Sequence, residues 1–170
     1  VWGDPWVHYI QNTNNDSGEK HKPIAGGHRW LGQVLEQDIL SIDDQTFKDR
    51  LQKAQRVILI TFSTIHDKDH LPVHLFDAME KAPSRYLWLA RLHPLHQNAD
   101  DVGKLRRLLA STGADFEIEL ATDLPLPLLL KYTNCHITLF SHSVFEALGM
   151  GVRNIVVHPD ALSIFDEWIE

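Results

Sequence analysis

Residues 57–62 read VILITF, six hydrophobic or β-branched positions with no polar face. A run this short and this uniform fits a strand covered on both sides in a parallel sheet. Residues 86–92 (YLWLARL), 116–120 (FEIEL), 136–140 (HITLF) and 152–157 (VRNIVV) read the same way. Helical spacing fills the intervals between them. Residues 71–82 carry Leu75, Phe76 and Met79, and 101–112 carry Val102, Leu105, Leu108 and Leu109 ahead of a stop at Gly113. The segment 124–132 is apolar, and a helix there tolerates Pro125 and Pro127 only in its first turn. Short helices are expected at 143–148 and 161–169, and Phe47, Leu51 and Ala54 predict one more leading into the first of these strands. Strands and helices in strict alternation imply right-handed βαβ units, a doubly wound parallel sheet in a three-layer α/β/α arrangement. Before residue 40 the pattern is weaker: a strand within 1–10, a polar loop over 12–21, a short strand at 23–27 and a helix at 30–37.

Composition narrows the class. The chain has 170 residues, 44% of them hydrophobic and 23% charged, which fits one domain spanning 1–170 and excludes disorder. No apolar stretch approaches the ~20 residues of a membrane span. Net charge is −7, which argues against broad nucleic-acid or anionic-membrane binding. A lone cysteine, Cys135, excludes an internal disulfide and fits a reducing compartment. The chain starts at Val1 and stops at Glu170 within a helical pattern, so it is read as a piece of a larger protein.

Ligands of such sheets bind beyond the carboxyl ends of the strands, near the reversal in strand order. The residues that follow the predicted strands are therefore the candidates: Ser63 and Thr64, His93 and Pro94, Ala121 to Asp123, Ser141 to Ser143, and His158 with Pro159. Hydroxyls and imidazoles prevail there, and such an edge suits a phosphate. Ser143 with Glu146 three residues later fits a capping box, in which the serine serves only to start a helix. Alternatively, the hydroxyls and N–H groups at that helix start cradle a diphosphate, with Glu146 turned to ribose hydroxyls. His93 is either a strand-end histidine bonded to backbone or an imidazole that donates to a phosphate oxygen. His66, His70 and His74 recur every four residues, but Pro72 interrupts them and no cysteine completes a zinc site, so they are read as polar decoration. Cys135 and His136 are neighbours on a strand and point to opposite faces, which leaves the thiol structural. No GxGxxG or GxxxxGK[ST] occurs.

"RLHP" at the end of a buried strand and the later "HITLFSHSVFEALGMGV" resemble the carboxyl-terminal domain of GT-B glycosyltransferases, among them sialyltransferase-like and CDP-glycerol-transferase-like enzymes of bacterial surface-polysaccharide synthesis. His93-Pro94 matches their HP motif, and Ser141-His142-Ser143 with Glu146-Ala147 approximates their serine motif and following helix. "KPIAGGHRWLGQVL" is similar to the stretch that opens this domain. The chain departs from the pattern in having His142 between the serines, Gly27-His28 for Asn-Pro and Val152-Arg153 for Val-Pro.

The resemblance implies a Rossmann-like fold, one half of a GT-B fold, that holds a nucleotide-sugar. It implies transfer of the sugar to a glycan or lipid-linked acceptor brought by a missing amino-terminal domain, with this portion alone inactive. His93 would be catalytic. Ser63, Thr64, His93, Ser141, His142 and Ser143 would hold the donor phosphates, and Glu119, Thr122 and Glu146 the nucleoside. No cofactor or metal is expected, and the location would be cytoplasmic or peripheral at the inner membrane. A nonhydrolysing UDP-sugar 2-epimerase shares these features and stays as an alternative, as does a non-catalytic α/β module that binds a ligand or partner. A receiver-like module would need an acidic pair where Ser63-Thr64 stand and an aspartate where Thr122 stands.

Overall fold

The computed structural model of the protein describes residues 42–62, 73–96, 98–139 and 141–157. The elements expected before residue 40 and at 161–169 lie outside the described residues, as do Ser63, Thr64, His66, His70, His158 and Pro159. In chain order the elements are α1 (Gln45–Lys53), β1 (Arg56–Thr61), α2 (Val73–Lys81), β2 (Tyr86–Arg91), α3 (Ala99–Ala110), β3 (Asp115–Glu117), α4 (Glu119–Asp123), α5 (Leu126–Leu130), β4 (Cys135–Thr138), α6 (Ser143–Gly149) and β5 (Arg153–Val156), with a 3₁₀ turn at Pro94–His96. The strands form one sheet in the order β3-β2-β1-β4-β5, and each neighbouring pair runs parallel. The order reverses between β1 and β4. The architecture is a doubly wound Rossmann-like α/β fold.

Strand alternation divides the core into two layers. Val57, Leu59, Leu87 and Leu89 face one side and pack with Phe47 and Leu51 of α1, Ala121 of α4, Leu128 to Leu130 of α5 and Ala147 of α6. Ile58, Ile60, Trp88 and Ala90 face the other and meet Leu75 and Met79 of α2 with Leu105 and Leu109 of α3. Both faces of β1 and β2 are thus covered, which is why these strands are continuously hydrophobic.

Two elements depart most from the sequence pattern, the other boundaries shifting by one or two residues. Residues 116–120 do not form one strand: β3 stops at Glu117, and α4 begins at Glu119. Five alternating residues do not separate a strand from a helix start, and here side-chain bonds decide. Glu117 accepts from the Leu120 N–H at 3.3 Å through Oε1, and Arg50 of α1 grips Glu117 Oε2, Asp115 and the Phe116 carbonyl at 2.7–2.8 Å. The apolar 124–132 segment is likewise shorter as a helix, with Pro125 capping α5 and Pro127 inside its first turn. At the end of α6, Gly151 takes φ +70°, and the Val152 N–H bonds the Ala147 carbonyl at 2.9 Å. That closing turn suits glycine. No helix among the described residues is long and apolar enough to cross a membrane.

Candidate functional site

A cavity of about 540 Å³ opens at the carboxyl edge of the sheet, over the reversal between β1 and β4. β1 contributes Thr61 and Phe62, and β2 contributes Arg91 followed by Leu92, His93 and Pro94. Asp123 to Pro127, where α4 passes into α5, form an apolar and proline-stiffened wall. Ser141, His142, Ser143 and Glu146 close the side nearest β4.

Arg91 is the cation of this site, and it was hidden inside the apolar run 86–92. Alternation places it on the same face as Leu87 and Leu89, beneath α4. Its Nη1 donates to the Ala121 carbonyl at 2.7 Å and the Leu124 carbonyl at 2.6 Å. A five-residue helix leaves its last carbonyls without helical donors, and Arg91 supplies them. Burial pulls the guanidinium below its ordinary range, while the negative fields of Glu146 and then Asp123 oppose that pull. It stays cationic at physiological pH. Nη2 and Nε carry the three remaining hydrogens of the fork.

His93 stands one residue beyond Leu92, half-buried, where the HP pair was expected to meet a ligand. Its Nδ1 accepts from the Leu95 N–H at 3.2 Å. In the neutral ring the proton therefore sits on Nε2, and Nε2 is the donor. His142 is exposed and lines the same cavity, its ring tilted 43° against Phe145 at 6.2 Å.

Ser143 does not cap α6. His142 occupies the cap position with helical backbone angles and no capping side-chain bond, and Ser143 is the first helical residue. The Ser143 N–H is instead met by Ser141 Oγ at 3.3 Å. Turned inward, the Ser143 hydroxyl lies 2.9 Å from Thr61 Oγ1 and 3.2 Å from His136 Nε2, and the residue is only 7% exposed. The capping box expected of Ser143 and Glu146 is replaced by a buried polar cluster that local sequence rules do not see.

His136 is the centre of that cluster. It is 0% exposed, and burial pushes its imidazole below the ordinary histidine value, partly offset by its bond to Asn154. Cys135 faces the opposite core layer, half-buried, and burial raises its thiol while Arg153 opposes that rise. The opposed faces of this pair are as strand geometry requires.

Two residues proposed for the nucleoside sit elsewhere. Thr122 does not follow a strand; it is buried in α4, where its Oγ1 accepts from the Leu92 N–H at 3.2 Å and anchors the end of β2. Glu119 is half exposed on the outer side of α4 and pairs with Arg106. Neither lines the cavity. Glu146 does, together with Arg91, His93, Ser141, His142 and Ser143. Among the described residues no group of three His, Cys, Asp or Glu is placed to hold a metal ion, and His74 is exposed on α2.

The sequence matches no protein-family model and no curated protein. Solved structures do share its architecture. The UDP-GlcNAc 2-epimerase of Neisseria meningitidis, bound to UDP-GlcNAc, superposes with a TM-score of 0.52 at 16% identity, over 79% of this chain and 37% of that one. HepE of Anabaena, in complex with UDP-glucose, gives 0.50 at 17% identity, over 70% of this chain and 35% of that one. The fold is the same. At this identity the likeness speaks for the fold alone, and the chain spans a little over a third of the length of these proteins.

Proposed function

We propose that this chain is the nucleotide-sugar-binding domain of a two-domain, GT-B-like glycosyltransferase. The observation that carries the proposal is the cavity at the strand-order reversal, where Arg91 offers positive charge and Arg91 and His93 offer N–H donors opposite the hydroxyls of Ser141 and Ser143. A diphosphate fits that donor set, and the apolar wall from Leu124 to Pro127 suits a base or sugar face. Glu146, at the same cavity, suits ribose hydroxyls. The two similar folds hold UDP-sugars, which favours a uridine nucleotide.

In the reaction, an acceptor hydroxyl attacks the anomeric carbon as the bond from that carbon to the phosphate oxygen breaks. The electron pair leaves with the nucleoside diphosphate, and Arg91 and His93 lie where that charge grows. The acceptor proton passes to a base on the partner domain, and the acceptor itself is a glycan or a lipid-linked sugar. The chemistry needs no metal in this reading, because the Arg91 guanidinium takes the role of a cation and the His93 Nε2–H adds a donor.

Likeness to the epimerase supports a second reading, in which the sugar nucleotide is rearranged without any acceptor. Product analysis with and without acceptor separates the two. Calorimetric titration with UDP, CDP, CMP, GDP and their sugars tests the binding site itself. Binding of a nucleoside diphosphate that weakens in Arg91→Met is the expected result, and no binding by any of them refutes the proposal. In the intact enzyme His93→Ala should cost about 2–4 kcal/mol of transition-state stabilisation, as for loss of one oxyanion donor. A loss of turnover under about tenfold would make His93 structural.

A further inference from the structure

Four polar side chains from three strands and one helix meet beneath the cavity, and two of these residues, Thr61 and Ser143, line it. Asn154 of β5 pairs in register with His136 of β4, and both face α6. The Asn154 amide nitrogen donates to the Val152 carbonyl at 3.1 Å and to the Val144 carbonyl at 3.5 Å. Those two carbonyls fix the amide orientation, so the group left facing His136 Nδ1 at 2.6 Å is the amide oxygen. An oxygen acceptor requires a proton on Nδ1. In the neutral ring Nε2 then carries the lone pair.

That lone pair lies 2.9 Å from Thr61 Oγ1 and 3.2 Å from Ser143 Oγ, and the two hydroxyls are 2.9 Å apart. Thr138 Oγ1, next along the same face, donates to the Thr61 carbonyl at 3.1 Å and helps fix the end of β1. Two hydroxyl hydrogens serve this triangle, and one nitrogen lone pair accepts only one of them. The second hydrogen either closes the triangle or turns to an acceptor in the cavity, which both Thr61 and Ser143 line. Buried clusters of this kind are held rigidly, because an unmatched polar group at this depth is costly.

We infer that His136 is a positioning residue: held by Asn154 with its proton on Nδ1, it binds one hydroxyl of the Thr61–Ser143 pair, so that the pair presents a single O–H from fixed oxygen positions to an anionic oxygen of the bound ligand. The inference rests on the phosphate-binding reading of the cavity. It adds a residue that touches no ligand and decides the direction of a donor that does.

His136→Asn keeps an amide near the Nδ1 position for Asn154 and leaves nothing at Nε2. His136→Gln returns an amide oxygen close to Nε2. With UDP as the probe and calorimetry on the folded chain, His136→Asn should weaken binding about tenfold, the effect of one misdirected hydrogen bond to a charged group. His136→Gln should recover most of that loss. In a Thr61→Val/Ser143→Ala background, His136→Asn should change affinity less than about twofold, since there is no hydroxyl left to direct. A folded His136→Asn chain that binds UDP like wild type overturns the inference, and so does an equal loss in the background without hydroxyls. Should His136→Asn fail to fold, nitrogen-15 spectra of the wild-type imidazole decide: a proton on Nδ1 and a bare Nε2 support the inference, and the opposite tautomer overturns it. Failure of the wild-type chain to bind UDP, CDP, CMP, GDP or any of their sugars instead overturns the proposed function, and the inference falls with it; a chain that binds one of the others is tested with that nucleotide in place of UDP.

Discussion

Replacing Arg91 by methionine keeps the aliphatic stem and removes the guanidinium, and with it the bonds to the Ala121 and Leu124 carbonyls at 2.7 and 2.6 Å. Hydrogen bonds to a charged group contribute about 1.5–3 kcal/mol each. The two share one nitrogen, and Leu124 is only half-buried, so together they contribute less than the simple sum, about 2–4 kcal/mol. Further loss comes from Asp123 and Glu146, whose fields Arg91 balances. Against a total stability of about 5–15 kcal/mol this is a large fraction. For a urea slope of about 2 kcal/mol per molar, the midpoint should fall by about 1–2 M. Arg91→Lys should recover part of it, because an ammonium reaches one carbonyl but does not form the planar fork that spans two. Nucleotide affinity should drop in both variants, more in methionine than in lysine. An Arg91→Met chain within about 0.5 kcal/mol of wild type would show that the α4 carbonyls find other donors, and the argument for Arg91 as the anchor of that helix would be wrong.

Ser143→Asp should destabilise the chain by about 3–5 kcal/mol, since a carboxylate would replace a hydroxyl that is 7% exposed. Near wild-type thermal stability for that variant would place the side chain at a solvent-facing cap instead. The depressed His136 imidazole makes stability depend on pH with a definite sign. Between its lowered folded value and the unfolded value near 6.5, the unfolded chain binds more protons, so stability falls as pH drops through that window and is regained on raising it. The slope should reach at most about 1.4 kcal/mol per pH unit and vanish in His136→Asn, which acid titrations of the two proteins compare directly. EDTA should leave UDP affinity unchanged within error, and strict dependence on Mg²⁺ or Mn²⁺ would contradict an arginine and histidine donor set.

Much of the fold could be read from periodicity because both faces of the central strands are covered. Five hydrophobic runs separated by helical spacing leave few options besides a parallel sheet with helices on each side, and the order β3-β2-β1-β4-β5 obeys that pattern. Helix α4 was missed because a distant contact decides it. Residues 116–120 alternate as a strand does, and the decision rests on Arg50 holding Asp115 and Glu117 from 65 and 67 residues away. Sequence spacing carries no trace of such a contact. His93, Ser141, His142 and Ser143 could be named because they follow strands, and the reversal rule selects such positions without any structure. Whether they bind phosphate is a separate question, and the rule does not answer it.

What the rule omits is the last residue of each strand. Thr61 and Arg91 were absorbed into hydrophobic runs, yet alternation puts both on the face shared with α4 and α6, and they line the cavity as fully as the residues beyond them. The register pairs Thr61 directly with Arg91, so adjacent strands deliver a hydroxyl and a guanidinium to one edge at the same height. A polar residue that ends an otherwise apolar buried strand needs a partner at that end, and the partner comes from the helix starts and loops packed over the edge. Thr61 finds Ser143, 82 residues away, and Arg91 finds the end of α4. The donors that assemble this site are therefore also the ones that close the sheet's edge, which is why a change at Arg91 or Ser143 should register in stability and nucleotide affinity together.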